Sequence, residues 1–141
     1  MNTTVQVAVA IIQRTKDDNS TEYFLTKRHE KSHQGGKWEF PGGKVEANES
    51  VAQALARELK EEVAIEVLTC QPFMQIEHLY TGITTNKHVT LNVFIVDNFL
   101  GEPSAQEGQK QAWYLLEQLA ELNFPEANQA IIEKLFEKKQ A

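Results

Sequence analysis

GKVEANESVAQALARELKEEVAI, residues Gly43 to Ile65, contains one helix and an unusual placement of charge. Ser50 followed by Gln53 is a capping-box pattern, so the helix is predicted to start near Ser50. Ala52, Leu55, Ala56, Leu59 and Val63 then recur at helical spacing as an apolar stripe. Beside the stripe, Glu58, Glu61 and Glu62 fall at i, i+3 and i+4. At about 100° per residue they share an arc of about 100°. Like charges so placed repel, and the C-terminal end of a helix already disfavours anions. A bound cation would remove both costs. Oxygen ligands favour a hard divalent ion, Mg²⁺ or Mn²⁺. An acidic pair taken alone is more often a solvated face, so the full spacing has to carry the reading. Ala64 stands where a helix often closes with a left-handed glycine. That conformation costs an alanine about 1 kcal/mol.

The flanking sequence supplies strands. Val5, Val7, Val9 and Ile11 alternate at period two. A turn cluster at Lys16 to Ser20 and an apolar run from Glu22 to Lys27 make a hairpin with them. His29 to Lys37 is predicted to be loop, and Trp38 to Phe40 a short extended piece stopped by Pro41-Gly42-Gly43. Ile65 to Tyr80 and His88 to Phe99 are rich in β-formers and joined by Thr81 to Lys87. Leu100 to Gln111 is predicted loop, and Ala112 to Leu116 a short strand. The second helix follows Pro125 and runs to about Lys139, burying Ile131, Ile132, Leu135 and Phe136. Strands interrupted by two helices predict an α+β fold, an α/β/α sandwich, here as one domain over residues 1–141.

Composition limits the functions available. A chain of 141 residues is long enough for a real core, and 41 % hydrophobic with 24 % charged is ordinary for a globular protein. A net charge of −6 argues against gripping polymeric nucleic acid by bulk electrostatics. A small polyanion is another matter, because the charge is divided. Lys27 to Lys44 carries five basic residues against Glu30 and Glu39, while Val45 to Glu62 carries five glutamates against Arg57 and Lys60. A basic wall beside an acidic, metal-binding wall suits a nucleoside polyphosphate. The apolar run Val7 to Ile12 is too short for a signal peptide or membrane span. The lone Cys70 forbids an intrachain disulfide and suits a reducing cytoplasm. A cytoplasmic monomer without membrane contact is expected.

Residues 43–65 resemble the Nudix box, Gly-x5-Glu-x7-Arg-Glu-U-x-Glu-Glu-x-Gly-U, where U is a bulky aliphatic residue. Gly43, Glu49, Arg57, Glu58, Leu59, Glu61, Glu62 and Ile65 match, and Ala64 departs from the usual Gly. The resemblance implies a mixed sheet between helices and metal-dependent cleavage of a phosphoanhydride. A divalent ion polarises the phosphoryl oxygen and lowers the pKa of water. Glu58 and Glu62 are then first-choice ligands with Glu61 next, Glu58 is a candidate base, and Arg57 with Glu49 orients them. Gly42 would offer a metal its backbone carbonyl, and Glu107 is carried over as ligand or base.

The match extends beyond the box to Val7 to Ile12, Thr26-Lys-Arg28, Trp38 to Lys44, His88 to Leu91, Gly101-Glu-Pro103, Glu107-Gly108 and Phe124 to Asn128. These pieces are similar to the MutT-type branch, the 8-oxo-dGTP diphosphatases that cleanse the nucleotide pool by water attack at the β-phosphorus. The likeness implies substrate contacts from Arg28, His33, Glu39, Phe40, Pro41 and Asn128. Asn128 falls in the first turn of the last helix and faces inward. Its carbonyl can accept from the N7–H of 8-oxoguanine, where guanine presents a lone pair. Three rivals stay open: another nucleoside polyphosphate, a binding module without catalysis, and a plain salt-laced helix.

Overall fold

The structure, a computed structural model, describes residues 2–29, 36–82 and 86–140. Its strands are β1 (Asn2–Thr15), β2 (Thr21–Lys27), β3 (Trp38–Glu39), β4 (Gly42–Lys44), β5 (Glu66–Thr81), β6 (Asn86–Leu100) and β7 (Lys110–Leu115). Its helices are α1 (Val51–Val63), α2 (Leu116–Leu119) and α3 (Gln129–Gln140), the last preceded by a 3₁₀ turn at Glu126–Asn128. The strand order is β3-β2-β1-β6-β5, with β4 paired to β1 and β7 to β2. Only β1 and β6 run parallel among the described pairs, so the sheet is mixed.

β1 organises the rest. It lies alongside β6 from Asn2 to Ile12, then turns through Lys16–Ser20 into the predicted hairpin with β2. Because a strand alternates faces, Ala8, Ala10 and Ile12 join Leu55, Leu59 and Val63 of α1 in one core. Val9 and Ile11 point the other way, to Leu119 of α2 and Ile131, Ile132 and Leu135 of α3. The sandwich expected from the sequence is therefore present, with helices on both sheet faces.

Helix α1 starts as predicted. Ser50 Oγ accepts from the Gln53 N–H at 3.1 Å, and Gln53 Oε1 from the Ser50 N–H at 2.8 Å. It ends on Ala64 at φ 60° and ψ 34°, the left-handed exit that the missing glycine left in question. The extended piece stops before Pro41 as expected, with β3 ending at Glu39, but Gly42-Gly43 then begins β4, pairing Gly42 with Val9 and Gly43 with Ala8. A Cβ on Gly42 would collide with the Ala8 carbonyl, and one on Gly43 with the Glu58 carboxylate. Here glycine permits close backbone approach. The strand predicted at Ala112 to Leu116 is β7, and the one-turn α2 that follows it is not foreseen, since four residues show no helical period. The last helix opens with a 3₁₀ turn, in which the Asn128 N–H donates to Pro125 O at 2.9 Å.

Candidate functional site

Two structures meet at Gly42 and Gly43: the carboxylate side of α1, and a cavity of about 620 Å³ on the sheet. Arg57 is the centre of the first. Its Nη2 and Nε reach Glu49 at 2.7 and 3.0 Å, a bidentate pair, and its Nη1 reaches Glu58 at 2.9 Å. Nη1 also lies 3.5 Å from Glu61, and Nη2 donates to Lys44 O at 3.0 Å. The Glu49 carboxylate accepts from the Glu46 N–H as well. Hydrogen bonds from Arg57 first, then from that backbone, lower the Glu49 pKa to about 2. The same contacts, Glu49's above Glu58's, hold the guanidinium well above its ordinary value.

Glu62 has the opposite surroundings. Among the described residues its Oε2 accepts a single bond, from the Gly42 N–H at 3.2 Å. Burial raises its pKa to about 7, reinforced by Glu58, Glu39 and Glu107 and opposed by Gly42. Glu107 comes close because its loop closes the end of α1. The Ser104 and Gln106 N–H groups donate to the otherwise unpaired carbonyls of Val63 and Glu62, each at 2.9 Å. Glu61 is turned outward, with its side chain 62 % exposed and its carboxylate toward Arg57.

The cavity is floored by alternate aliphatic residues of adjacent strands, Val5, Val7 and Val9 with Val89 and Leu91. Arg28, Glu39, Phe40, Gly42 and Asn128 line it. Arg28 Nη1 meets Glu39 Oε2 at 2.7 Å. Burial raises the Glu39 pKa and Arg28 opposes the rise. The half-buried Asn128 side chain makes no hydrogen bond among the described residues. That amide is therefore free to pair with a ligand that enters the cavity.

Most residues singled out in the sequence are thus gathered here. Pro41 is not at the surface of the cavity: it is buried, and its carbonyl accepts from the Ala10 N–H at 2.8 Å. His33 lies outside the described residues. Lys44, Tyr80, Thr81 and Lys87 line the cavity without having been singled out for it. Strand alternation could have found Tyr80 and Lys87, which sit opposite each other on β5 and β6.

Among the described residues, no three His, Cys, Asp or Glu side chains are grouped so as to hold a metal ion. The donors nonetheless fit a hard divalent ion. They are oxygens, and a cation would offset the burial and the neighbouring carboxylates that push Glu62 upward.

Residues 8–134 match the family model of the NUDIX domain. The 8-oxo-dGTP diphosphatase of Escherichia coli K12 is 38 % identical over 131 residues, which cover 93 % of this chain and 95 % of that one. The CTP pyrophosphohydrolase of the same organism is 36 % identical, over 77 % of this chain and 74 % of its own. A solved MutT structure, from work on the Aliivibrio salmonicida and Vibrio cholerae proteins, superposes with a TM-score of 0.78. It is 36 % identical and covers 96 % of this chain and 98 % of its own. The chain belongs to the Nudix family. It is an enzyme of that hydrolase family, with a mixed sheet flanked by helices. No described helix is long and apolar enough to cross a membrane.

Proposed function

We propose that this chain hydrolyses 8-oxo-dGTP to 8-oxo-dGMP and pyrophosphate, as a single Nudix domain using Mg²⁺. One observation carries the reading: Gly42 lines the cavity and also donates to Glu62. A nucleotide whose base fills the cavity therefore presents its phosphates to the carboxylates of α1. Glu58 and Glu62 are the metal ligands, Glu107 a further ligand or base, and Glu61 an outer one tied to Arg57. The Gly42 carbonyl is the remaining donor. Bound Mg²⁺ would neutralise the phosphates and favour deprotonation of water. The water oxygen bonds to the β-phosphorus, the bridging oxygen leaves with 8-oxo-dGMP, and Glu58 accepts the proton.

In the cavity, Asn128 accepts from N7–H of the oxidised base and Arg28 faces a base carbonyl or phosphate, with Phe40 as apolar wall. Turned with its carbonyl towards N7, the Asn128 amide pairs with the oxidised base and meets an acceptor in dGTP. The 36 % identity to a CTP pyrophosphohydrolase supports a second reading, a different nucleoside triphosphate. A nucleotide panel assayed for pyrophosphate release with and without Mg²⁺ separates them. Asn128→Ala should lower the ratio of kcat/KM for 8-oxo-dGTP over dGTP by roughly 10²-fold or more. Equal loss on both nucleotides sinks base reading. CTP as the best substrate of the wild type favours the second reading.

A further inference from the structure

The cavity holds two aromatic residues among its described lining, Phe40 and Tyr80. Phe40 is 5 % exposed, and its ring is stacked on Phe124 at 5.7 Å and 23°. Its face is taken by the core. Tyr80 differs. It is 39 % exposed, near the end of β5 and opposite Lys87 of β6. Its strand neighbours in register put it on the cavity side: His78 pairs with Val89 and Ile76 with Leu91, and Val89 and Leu91 form the floor. The His78 ring lies 4.3 Å from the Tyr80 ring at 59° and braces it from within the same strand. An exposed aromatic ring, held by a neighbour at the edge of an aliphatic floor, is a platform for a planar group.

We propose that Tyr80 stacks on the nucleobase. The proposal rests on the reading of the site as a nucleotide site. It divides the labour of recognition. Asn128 tells one base from another by hydrogen-bond direction. Tyr80 supplies affinity for any base, because every base has a π-face. Its loss should therefore weaken oxidised and ordinary guanine alike.

The test is calorimetric binding of 8-oxo-dGMP, dGMP and dCMP, with pyrophosphate as a base-free probe, in buffer containing Mg²⁺. Tyr80→Ala and Tyr80→Leu should weaken both guanine nucleotides by the same factor, roughly 5- to 150-fold. Tyr80→Phe should bind like the wild type, since the ring and not the hydroxyl acts. Pyrophosphate binding should not move. Thermal melting confirms that each variant is folded, and Tyr80→Leu keeps the bulk should Tyr80→Ala lose it. Wild-type affinity for dGMP in both ring-less variants overturns the proposal. So does an equal loss for pyrophosphate, which would mark a general disturbance of the site. A wild type that binds 8-oxo-dGMP no better than dGMP removes base reading by Asn128, yet leaves Tyr80 decided by dGMP. A wild type that binds none of the three overturns both.

Discussion

Glu49 and Glu62 flank α1 at its two ends and titrate in opposite directions. Glu49 is gripped by Arg57 and pulled down to about 2, whereas Glu62 is crowded by burial and other carboxylates and pushed up to about 7. The difference lies in where the one arginine points. Arg57 neutralises Glu49 and part of Glu58, and nothing described does so for Glu62. The N-terminal neighbourhood is complete as folded. The C-terminal one has a surplus of negative charge beside the cavity.

The comparison breaks most visibly in catalysis. Glu62→Gln should cut kcat by roughly 10³-fold, the several kcal/mol a correctly held divalent ion supplies. Steady-state turnover at saturating Mg²⁺ checks it, and near-wild-type activity would mean that the surplus charge has no catalytic use. Glu49→Gln and Arg57→Lys act one step removed from substrate. Each should cost roughly 10- to 100-fold, as loss of an orienting partner does. In Arg57→Lys the bidentate fork to Glu49 cannot be rebuilt, and a loss as deep as that of Glu62→Gln would place Arg57 among the reacting groups.

Stability against pH sharpens the contrast further. The folded pKa of Glu62 lies above its ordinary 4.5. Its stabilising share is complete below pH 4.5 and is lost as pH rises through about 7. In EDTA, Tm should therefore fall across that window, and Mg²⁺ should restore it most at the upper end. Glu62→Gln should flatten the slope. Glu49 runs the other way: its share is present above pH 4.5 and lost as pH falls through about 2. Glu49→Gln should lower Tm at neutral pH, remove that acid-limb loss and leave the slope between pH 4.5 and 7 unchanged. The smallest effect is expected at the C-cap of α1, in Ala64→Gly. Relief of the left-handed alanine should add about 1 kcal/mol of stability, read by denaturant melts, with activity unchanged.

Much of this could be read from sequence because the acidic helix is local. Ser50, Gln53, the apolar stripe and the three glutamates lie within a few turns, so spacing fixed both the element and its polar side. The outward turn of Glu61 could not be read that way, because it depends on Arg57 reaching across to Glu49. The pairing of Gly42 and Gly43 with Val9 and Ala8 was hidden for a related reason. A glycine pair signals a turn locally, and only the distant β1 makes it a strand. The cavity is less local still, drawing on β1, β5, β6 and the 3₁₀ turn. Resemblance located Arg28 and Asn128, but it did not find Tyr80, whose role depends on register with β6.

The parallel alignment of β1 with β6 has a kinetic consequence. Asn2 pairs with Asn86 and Ile12 with Val96, so the first strand must wait for a partner more than half the chain away. Such long-range closure slows folding and delays cooperative structure. On the ribosome, α1 and its carboxylates would emerge well before the sheet that supports them can close. The cavity would be completed later still, when the turn carrying Asn128 leaves the exit tunnel. The nascent chain would thus carry its acidic helix for some time before it can select a substrate.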